Sequence, residues 1–152
     1  MDRAQLLRRL EESWNALKAS YTGLSHSLMT EPCVTGTWSV KDIIAHVTSW
    51  EEESLAHLPI ILAGERPPRY SVTYGGIDAF NARTTGQRRS LSLSWVLRQR
   101  DEVHRRLVDF IESVPEEQFT RETRFRRRLR LDTHGHYLKH AEAIRQWRRH
   151  RA

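Results

Sequence analysis

Three histidines lie at positions from which their side chains could share one metal ion. His136 and His140 are four residues apart, so on a helix they project from the same face, about 6 Å apart along the axis. His46 follows Ile43 and precedes Trp50 at helical spacing, which puts it on the apolar face of a second predicted helix. Neutral imidazole nitrogens are good ligands for zinc, nickel or ferrous iron. We refer to His46, His136 and His140 as the histidine triad.

Three protein ligands would leave coordination positions open for water or a substrate, as in catalytic rather than structural metal sites. The spacing alone leaves a second interpretation open, in which the triad consists of buried, hydrogen-bonded core residues. His134 offers an alternative ring beside His136, although it points to a different helix face. Asp132 lies one turn before His136 and could orient its ring, but we expect it to cap the last helix.

Other side chains near the triad are candidates for a substrate pocket. Trp38, Trp50 and Asn81 are candidate lining residues, although tryptophans in such positions belong more often to the core. The run Glu51–Glu53 is predicted to form a solvated face, although its first or last carboxylate could accept a proton. We expect solvated positions for the remaining histidines, which are His26, His57, His104 and His150.

The helices that must position these residues follow from apolar periodicity. Large apolar residues recur every three or four positions from Leu10 to Leu28, which predicts the first helix. The second helix is predicted to begin near Ser39 and to run towards Gly64. The Ser39 hydroxyl can cap the free backbone amides, and Asp42 favours the positive end of the helix dipole.

The second half of the chain contains two further predicted helices. Residues 64–90 are rich in glycine, proline and polar side chains, which predicts a long crossover connection with one short helix around Asp78–Arg83. A third long helix is predicted from Ser92 to Ser113, and the last from Asp132 to His150. The segment Glu122–Leu131 between them is predicted to be extended or a loop.

These elements predict an all-α fold, a four-helix bundle with a long crossover connection between helices 2 and 3, in a single domain over residues 1–152. The hydrophobic fraction of 38% and the five tryptophans exclude a disordered chain. No run approaches the roughly 20 apolar residues of a membrane span, and the start lacks the apolar core of a signal peptide. The single cysteine, Cys33, excludes an internal disulfide. We therefore expect a soluble, cytoplasmic protein without a membrane partner.

The positive charge is concentrated at the end of the chain. The formal net charge is +6, and residues 121–152 hold 11 basic and 3 acidic side chains. The clusters Arg121–Arg130 and Arg145–Arg151 could neutralise phosphates, with Phe125 and Trp147 available for base stacking. Arginines near a helix C-terminus also stabilise the helix dipole without any ligand, and no nucleic-acid-binding motif accompanies them. We therefore do not expect a nucleic-acid partner.

Two motifs resemble a known superfamily. The run TWSVKDIIAHV at residues 37–47 resembles the second-helix signature of the DinB/YfiT-like superfamily, Trp-Ser/Thr-Val with a histidine eight residues after the tryptophan. The run HYLKHAEAIR at residues 136–145 resembles the His-x3-His motif of its final helix. Trp147, the run IDAFN at residues 77–81 and the pair Trp50-Glu51 make the DfsB/ClbS-type branch the nearest likeness.

The resemblance implies a four-helix bundle, often dimeric, in which the histidine triad binds nickel, zinc or another divalent ion. Characterised members include thiol-dependent transferases and isomerases, and a protein that protects against a cyclopropane-bearing genotoxin. We therefore expect a metal-dependent hydrolase or thiol transferase, in which a nickel, zinc or iron ion activates water or a low-molecular-weight thiol towards a small electrophile. The expected partners are that small molecule and a second copy of the chain. Two alternatives remain open, a metal-free dimeric bundle that sequesters a partner and a weak nucleic-acid binder.

Overall fold

Four long helices, joined by shorter ones, form the molecule. The computed structural model describes residues 1–151. Its helices are α1 (Arg3–Tyr21), α2 (His26–Met29), α3 (Val40–Leu62), α4 (Tyr70–Thr73), α5 (Ile77–Arg88), α6 (Leu93–Ser113), α7 (Arg124–Asp132) and α8 (His134–Arg151). Because α1 packs along α8 and α3 packs along α6, the long helices form the predicted all-α bundle, and this prediction is confirmed. Within the described residues, no helix is both long and apolar enough to cross a bilayer.

The apolar stripe of α1 holds α8 in place. It consists of Leu6, Leu10, Trp14 and Leu17, none of which is more than 3% exposed. Trp14 packs against Tyr137 of α8, with ring centroids 5.2 Å apart, and Tyr137 is fully buried. Buried apolar surface contributes about 25 cal/mol per Å² to stability. This helix pair therefore fixes the position of α8, which carries two of the three triad histidines.

The first helix is shorter than its sequence pattern predicts. The apolar pattern runs to Leu28, but α1 ends at Tyr21 and the chain turns at Gly23. Gly23 has a φ of +82°, which lies in the left-handed region that favours glycine. The pattern continues past the end of the helix because Leu24 still packs against the core from the turn.

The start of α3 has the predicted cap. Ser39 Oγ accepts the backbone N–H of Asp42 at 3.1 Å, and Asp42 Oδ2 accepts the N–H of Ser39 at 3.0 Å, so the capping box is complete. Just before it, Thr35 and Trp38 exchange two backbone hydrogen bonds across a turn. This turn holds Trp38 against His46, with ring centroids 4.6 Å apart. The cap and the turn therefore position Trp38 and His46, which both belong to the run at residues 37–47.

The crossover between the second and third long helices is largely helical. The sequence predicts one short helix around Asp78–Arg83, whereas α5 extends from Ile77 to Arg88 and the one-turn α4 precedes it. α5 packs against α3 through Phe80, which is 3% exposed. The Phe80 ring meets the Trp50 ring edge to face at 5.0 Å. The crossover therefore covers one flank of α3.

The segment Glu122–Leu131, predicted to be extended or a loop, forms most of α7, so that prediction is wrong. Thr123 caps the helix by accepting the backbone N–H of Arg126 at 3.1 Å. Phe125 and Leu129, one turn apart, are 1% and 0% exposed and anchor it to the bundle. Arginine is a good helix former, so the many arginines of this segment do not oppose a helix. Because the segment contains few apolar residues, its helical periodicity is not visible in the sequence.

A buried polar cluster lies inside the bundle, where the sequence predicts solvated side chains. Glu51 is 0% exposed and His104 is 7% exposed. Glu51 Oε2 accepts the Tyr137 hydroxyl at 2.8 Å and lies 2.7 Å from His104 Nδ1. His104 in turn stacks on Trp14, with ring centroids 3.8 Å apart. The prediction is wrong because α6 and α8 supply polar partners that are distant in sequence, and burial raises the pKa of Glu51.

Candidate metal centre and its cavity

The histidine triad converges between α3 and α8. His46 Nε2 lies 2.9 Å from His136 Nε2, which lies 3.1 Å from His140 Nε2. One ring nitrogen of each residue lies within 4.8 Å of the other two. The rings meet edge to face, with centroids between 4.6 and 4.9 Å apart. His46 and His140 are buried, and His136 is half-buried.

A tight corner between α7 and α8 places two of these rings. His136 and His140 lie one turn apart on α8, and α8 begins only two residues before His136. At this corner, a Cβ on Gly135 would lie 3.1 Å from the carbonyl oxygen of Arg130. Glycine therefore permits the close approach of the two helices. The corner turns the start of α8 so that His136 faces His46.

The triad rings are neutral at physiological pH. Burial and the neighbouring histidines lower the pKa of His46 to about 2. Burial and His140 lower the pKa of His136 to about 3, and burial and Lys139 lower the pKa of His140 to about 4. A protonated ring here would lie in a poorly hydrated site close to other positive groups. Each ring therefore keeps a lone pair, which is the form that binds a metal.

The donor arrangement fits a shared divalent cation better than hydrogen bonds among the rings. A neutral imidazole has one N–H, and its other nitrogen offers one in-plane lone pair. His136 Nε2 lies close to two ring nitrogens and cannot satisfy both with one proton or one lone pair. Two of the three separations, 2.9 and 3.1 Å, are close to the roughly 3.0–3.4 Å expected between nitrogens that each lie about 2.1 Å from one ion, and the third, between His46 and His140, lies within 4.8 Å.

The far nitrogens of two triad rings have no hydrogen-bond partner. The Nδ1 atoms of His46 and His136 are buried, and neither contacts an acceptor among residues 1–151. Metal-binding histidines usually donate this N–H to an acceptor that fixes the ring. For His46, packing against the Trp38 ring helps to fix the orientation of the imidazole instead.

The triad forms one wall of a cavity of about 540 Å³. The structure places around it all six candidate site residues from the sequence, namely His46, His136, His140, Trp38, Trp50 and Asn81. The other lining residues are Thr35, Tyr70, Ile77, Arg128, Leu131, Asp132 and Lys139, and of these the sequence singles out only Asp132, as a helix cap or an acceptor for His136. A cavity of this size accommodates a small organic molecule.

Trp50 belongs to the core and to the cavity wall at the same time. It is 9% exposed, and its ring packs against Tyr70 and Phe80 of the crossover. Its indole Nε1 donates to Asn81 Oδ1 at 2.8 Å, which fixes the orientation of the amide. The amide nitrogen of Asn81 is then available as a donor to a molecule in the cavity.

An arginine and a carboxylate form a wall that the sequence analysis missed. Arg128 Nε donates to Asp132 Oδ2 at 2.6 Å, and its Nη2 donates to the Tyr70 hydroxyl at 2.7 Å. Asp132 also accepts the Ser54 hydroxyl at 2.7 Å. In the described part of the chain its carboxylate is bound by Arg128 and Ser54, so it neither caps α8 nor makes a hydrogen bond to His136, contrary to the sequence expectation. The i,i+4 spacing of the pair was the available signal, but it has meaning only in a helix.

His57 and Glu53 extend this wall behind the cavity. His57 Nε2 lies 3.4 Å from Glu53 Oε2, and its Nδ1 lies 3.1 Å from Arg128 Nη2. Tyr74 donates to Glu53 Oε1 at 3.2 Å. Glu53 is only 8% exposed and His57 is half-buried, so the expected solvated positions are wrong here also. Burial raises the pKa of Tyr70, which therefore keeps its hydroxyl proton.

Acidification should destabilise the metal-free protein through the triad. The folded-state pKa values of about 2 to 4 lie below 6.5, so the unfolded chain binds more protons in this range. The stabilising contribution is complete above about pH 6.5 and is lost as the pH falls towards the folded-state values. Between about pH 6 and 4.5, the free energy of unfolding of the wild type should fall about 1.4 kcal/mol per pH unit more steeply than that of His136→Gln.

Urea unfolding followed by circular dichroism, in the presence of a chelator, measures both slopes. The matched control is His150→Gln, because His150 is exposed and should leave the wild-type slope unchanged. Equal slopes in the wild type and in His136→Gln would contradict the neutral, buried state of the triad.

Sequence comparison identifies the superfamily. Residues 9–149 match the DinB superfamily, and the chain therefore belongs to it. The match covers both motifs and all eight helices in whole or in part, so the resemblance indicated by the motifs is confirmed. No curated protein sequence matches the chain.

Solved structures share the fold. The colibactin self-resistance protein ClbS, crystallised in complex with double-stranded DNA, has a TM-score of 0.79 and 16% sequence identity over 95% of this chain and 94% of ClbS. The sibling lethal factor precursor DfsB has a TM-score of 0.81 and 16% identity over 99% of this chain and 97% of DfsB. An uncharacterised protein from Escherichia coli UTI89 has a TM-score of 0.80 and 15% identity over 99% and 94% of the two chains. These similarities establish the fold that this chain shares with ClbS and DfsB.

Proposed function

We propose that the protein is a metal-dependent enzyme that holds one divalent ion on His46, His136 and His140 and acts on a small electrophile in the adjoining cavity. The observation that carries the proposal is the convergence of three neutral Nε2 atoms on the wall of a 540 Å³ cavity. A purely structural cluster would not require such a space beside it. Three protein ligands are also the number found in catalytic zinc sites.

The donor set defines the chemistry. A divalent ion at the triad would supply Lewis acidity, which lowers the pKa of a water or a thiol and makes it nucleophilic at neutral pH. The three ligands are neutral, so they leave the positive charge of the site uncompensated. Imidazole ligands suit zinc, nickel and ferrous iron alike, and the proposal extends to all three. The reaction class is hydrolysis of the electrophile or transfer of a thiol to it.

Residues of the cavity would bind and orient the substrate. Trp38 and Trp50 offer aromatic surface, and Asn81 offers its amide nitrogen. Tyr70 accepts a hydrogen bond from Arg128, and its hydroxyl lies 3.4 Å from His57 Nδ1; its hydrogen would be donated to a leaving group in the cavity in place of this long contact. The raised pKa of Tyr70 keeps that hydrogen in place at neutral pH.

Removal of the metal should abolish turnover of an electrophile. The assay follows consumption of an epoxide or an alkyl halide, with and without glutathione or cysteine, by protein reconstituted with zinc, nickel or ferrous iron. Chelation should reduce the rate to that of the uncatalysed reaction, and the same metal should restore it. His46→Ala should abolish turnover, whereas His26→Ala, which changes an exposed histidine, should not. Turnover that survives chelation would contradict the proposal, and absence of turnover with every metal would favour the sequestering bundle.

DNA binding is a second candidate function, which the ClbS complex with double-stranded DNA and the arginines around α7 favour. The arginines of α8 are largely occupied, because Arg145 and Arg149 bind Glu142 and Arg151 binds Glu31. Within residues 121–130, around α7, four of the six arginines have no acidic partner within 4 Å in the described part of the chain, namely Arg121, Arg124, Arg126 and Arg127. This candidate predicts affinity for random duplex DNA that falls steeply with salt and does not depend on the metal.

A further inference from the structure

The cavity beside the triad contains a guanidinium group that is held in one orientation. Arg128 is anchored through Nε to Asp132 and through Nη2 to both Tyr70 and His57. All of its hydrogen bonds are made by these two nitrogens, so Nη1 remains free in the described part of the chain. The Arg128 side chain is only 17% exposed and lines the cavity. A fixed guanidinium group with a free donor is suited to binding an anion.

The cavity carries an excess of positive charge. Apart from the histidines, its charged lining residues are Arg128, Lys139 and Asp132. The Asp132 carboxylate is 4% exposed at the residue level and is already bound by Arg128 and Ser54. Lys139 is exposed and lines the same cavity as the triad histidines. One uncompensated cation therefore remains, even before a divalent ion is counted.

Apolar side chains lie where the cavity opens to solvent. Ile77 and Leu131 both line it and are 53% and 70% exposed. Among the described residues, five large apolar side chains are exposed, and two of these five line the cavity. An apolar rim fits a molecule that has a hydrophobic body, and it does not fit the polyanionic backbone of a nucleic acid.

We propose that the cavity takes an amphipathic small anion, whose carboxylate or phosphate group binds Arg128 and Lys139 while its apolar body contacts Trp38, Trp50 and the rim. As an identification of the enzyme's substrate class, this inference rests on the proposed function. As a statement about binding, it concerns Arg128 and can be tested without any metal. Specificity would arise because a neutral analogue leaves the Nη1 donor of Arg128 unpaired.

Titration calorimetry with phenyl phosphate and phenol tests the proposal. The two probes have the same ring and differ in the anionic group, and the metal-free protein in a phosphate-free buffer with a chelator removes any contribution of an ion. The wild type should bind phenyl phosphate at least about tenfold more tightly than phenol, as expected for a charge-assisted hydrogen bond. Arg128→Gln alone would leave Asp132 buried without its partner, so the main variant is the double variant Arg128→Gln/Asp132→Asn.

The double variant should lose the tenfold preference, and Lys139→Gln, on an exposed side chain, should lose part of it. The matched control is Arg127→Gln. Arg127 is an exposed arginine of the same helix as Arg128, and it does not line the cavity. Unchanged phenyl phosphate affinity in the double variant would overturn the proposal, as would equal binding of phenol. Displacement of phenyl phosphate by a random DNA duplex at low salt would also overturn it, in favour of the nucleic-acid candidate. If the wild type binds phenyl phosphate as expected but fails to bind zinc or nickel in a separate titration, the result would count against the proposed metal-dependent enzyme and not against the anion site.

Discussion

Alanine in place of His136 should lower the affinity for zinc or nickel by at least about 100-fold, because it removes one of three ligands. His136 is the ring that links the other two, since its Nε2 lies 2.9 Å from His46 Nε2 and 3.1 Å from His140 Nε2. Without it, the two remaining nitrogens would leave most of the coordination shell to water. Competition with a chromophoric chelator measures the dissociation constant of each variant.

His134→Ala is the matched control for this prediction. His134 lies two residues before His136 and is buried, at 7% exposure, but its ring nitrogen does not belong to the convergent group. Its Nδ1 lies 3.5 Å from Thr133 Oγ1. We expect its removal to leave the affinity within about threefold of the wild type, a change of less than 1 kcal/mol. An equal loss in both variants would mean that His134 is a ligand and that the site has been assigned to the wrong ring.

Alanine in place of Glu51 should lower the free energy of unfolding by about 3–5 kcal/mol. Glu51 is fully buried, and its Oε2 is the acceptor shared by Tyr137 and His104. Truncation leaves Tyr137 and His104 without their shared partner in the core and opens a cavity beside them. The substitution should also disturb the metal site, because Tyr137 lies on α8 between the two triad histidines of that helix.

Urea unfolding distinguishes the role of this carboxylate from a general effect of mutation in α3. Glu51→Gln keeps an oxygen acceptor and the shape of the side chain, and should cost about 1 kcal/mol or less. Glu52→Ala removes the next carboxylate, which is half-buried and pairs with Arg88 at the surface, and should also cost about 1 kcal/mol or less. A similar small loss in all three variants would show that the buried cluster contributes little to stability.

Features that depend on neighbours in sequence could be predicted. The Ser39 capping box and the helical spacing of His136 and His140 are both encoded within segments of ten residues or fewer. The periodic stripes of the long helices likewise predict the bundle, because apolar faces at helical spacing must be buried against one another. The six candidate site residues surround one cavity for the same reason: five of them lie on helices that pack in the bundle, and Trp38 lies in the turn just before α3.

Features that depend on partners from distant helices could not be predicted. Glu51 appears in the sequence as one of three consecutive carboxylates, and only His104 and Tyr137 explain its burial. Arg128 likewise belongs to an arginine-rich run that suggests a solvated or phosphate-binding surface. It lines the cavity because α7 is a helix and because Asp132 and Tyr70 hold its guanidinium group. Burial of a polar residue by a sequence-distant partner leaves no local periodic signal.

Anomalous diffraction at the zinc absorption edge, from crystals grown with one equivalent of zinc, tests the central claim most directly. We predict a single strong peak about 2.0–2.1 Å from Nε2 of His46, His136 and His140, at the wall of the cavity. A peak bound by His134 or by histidines outside the triad, with no peak between the three convergent rings, would contradict the account.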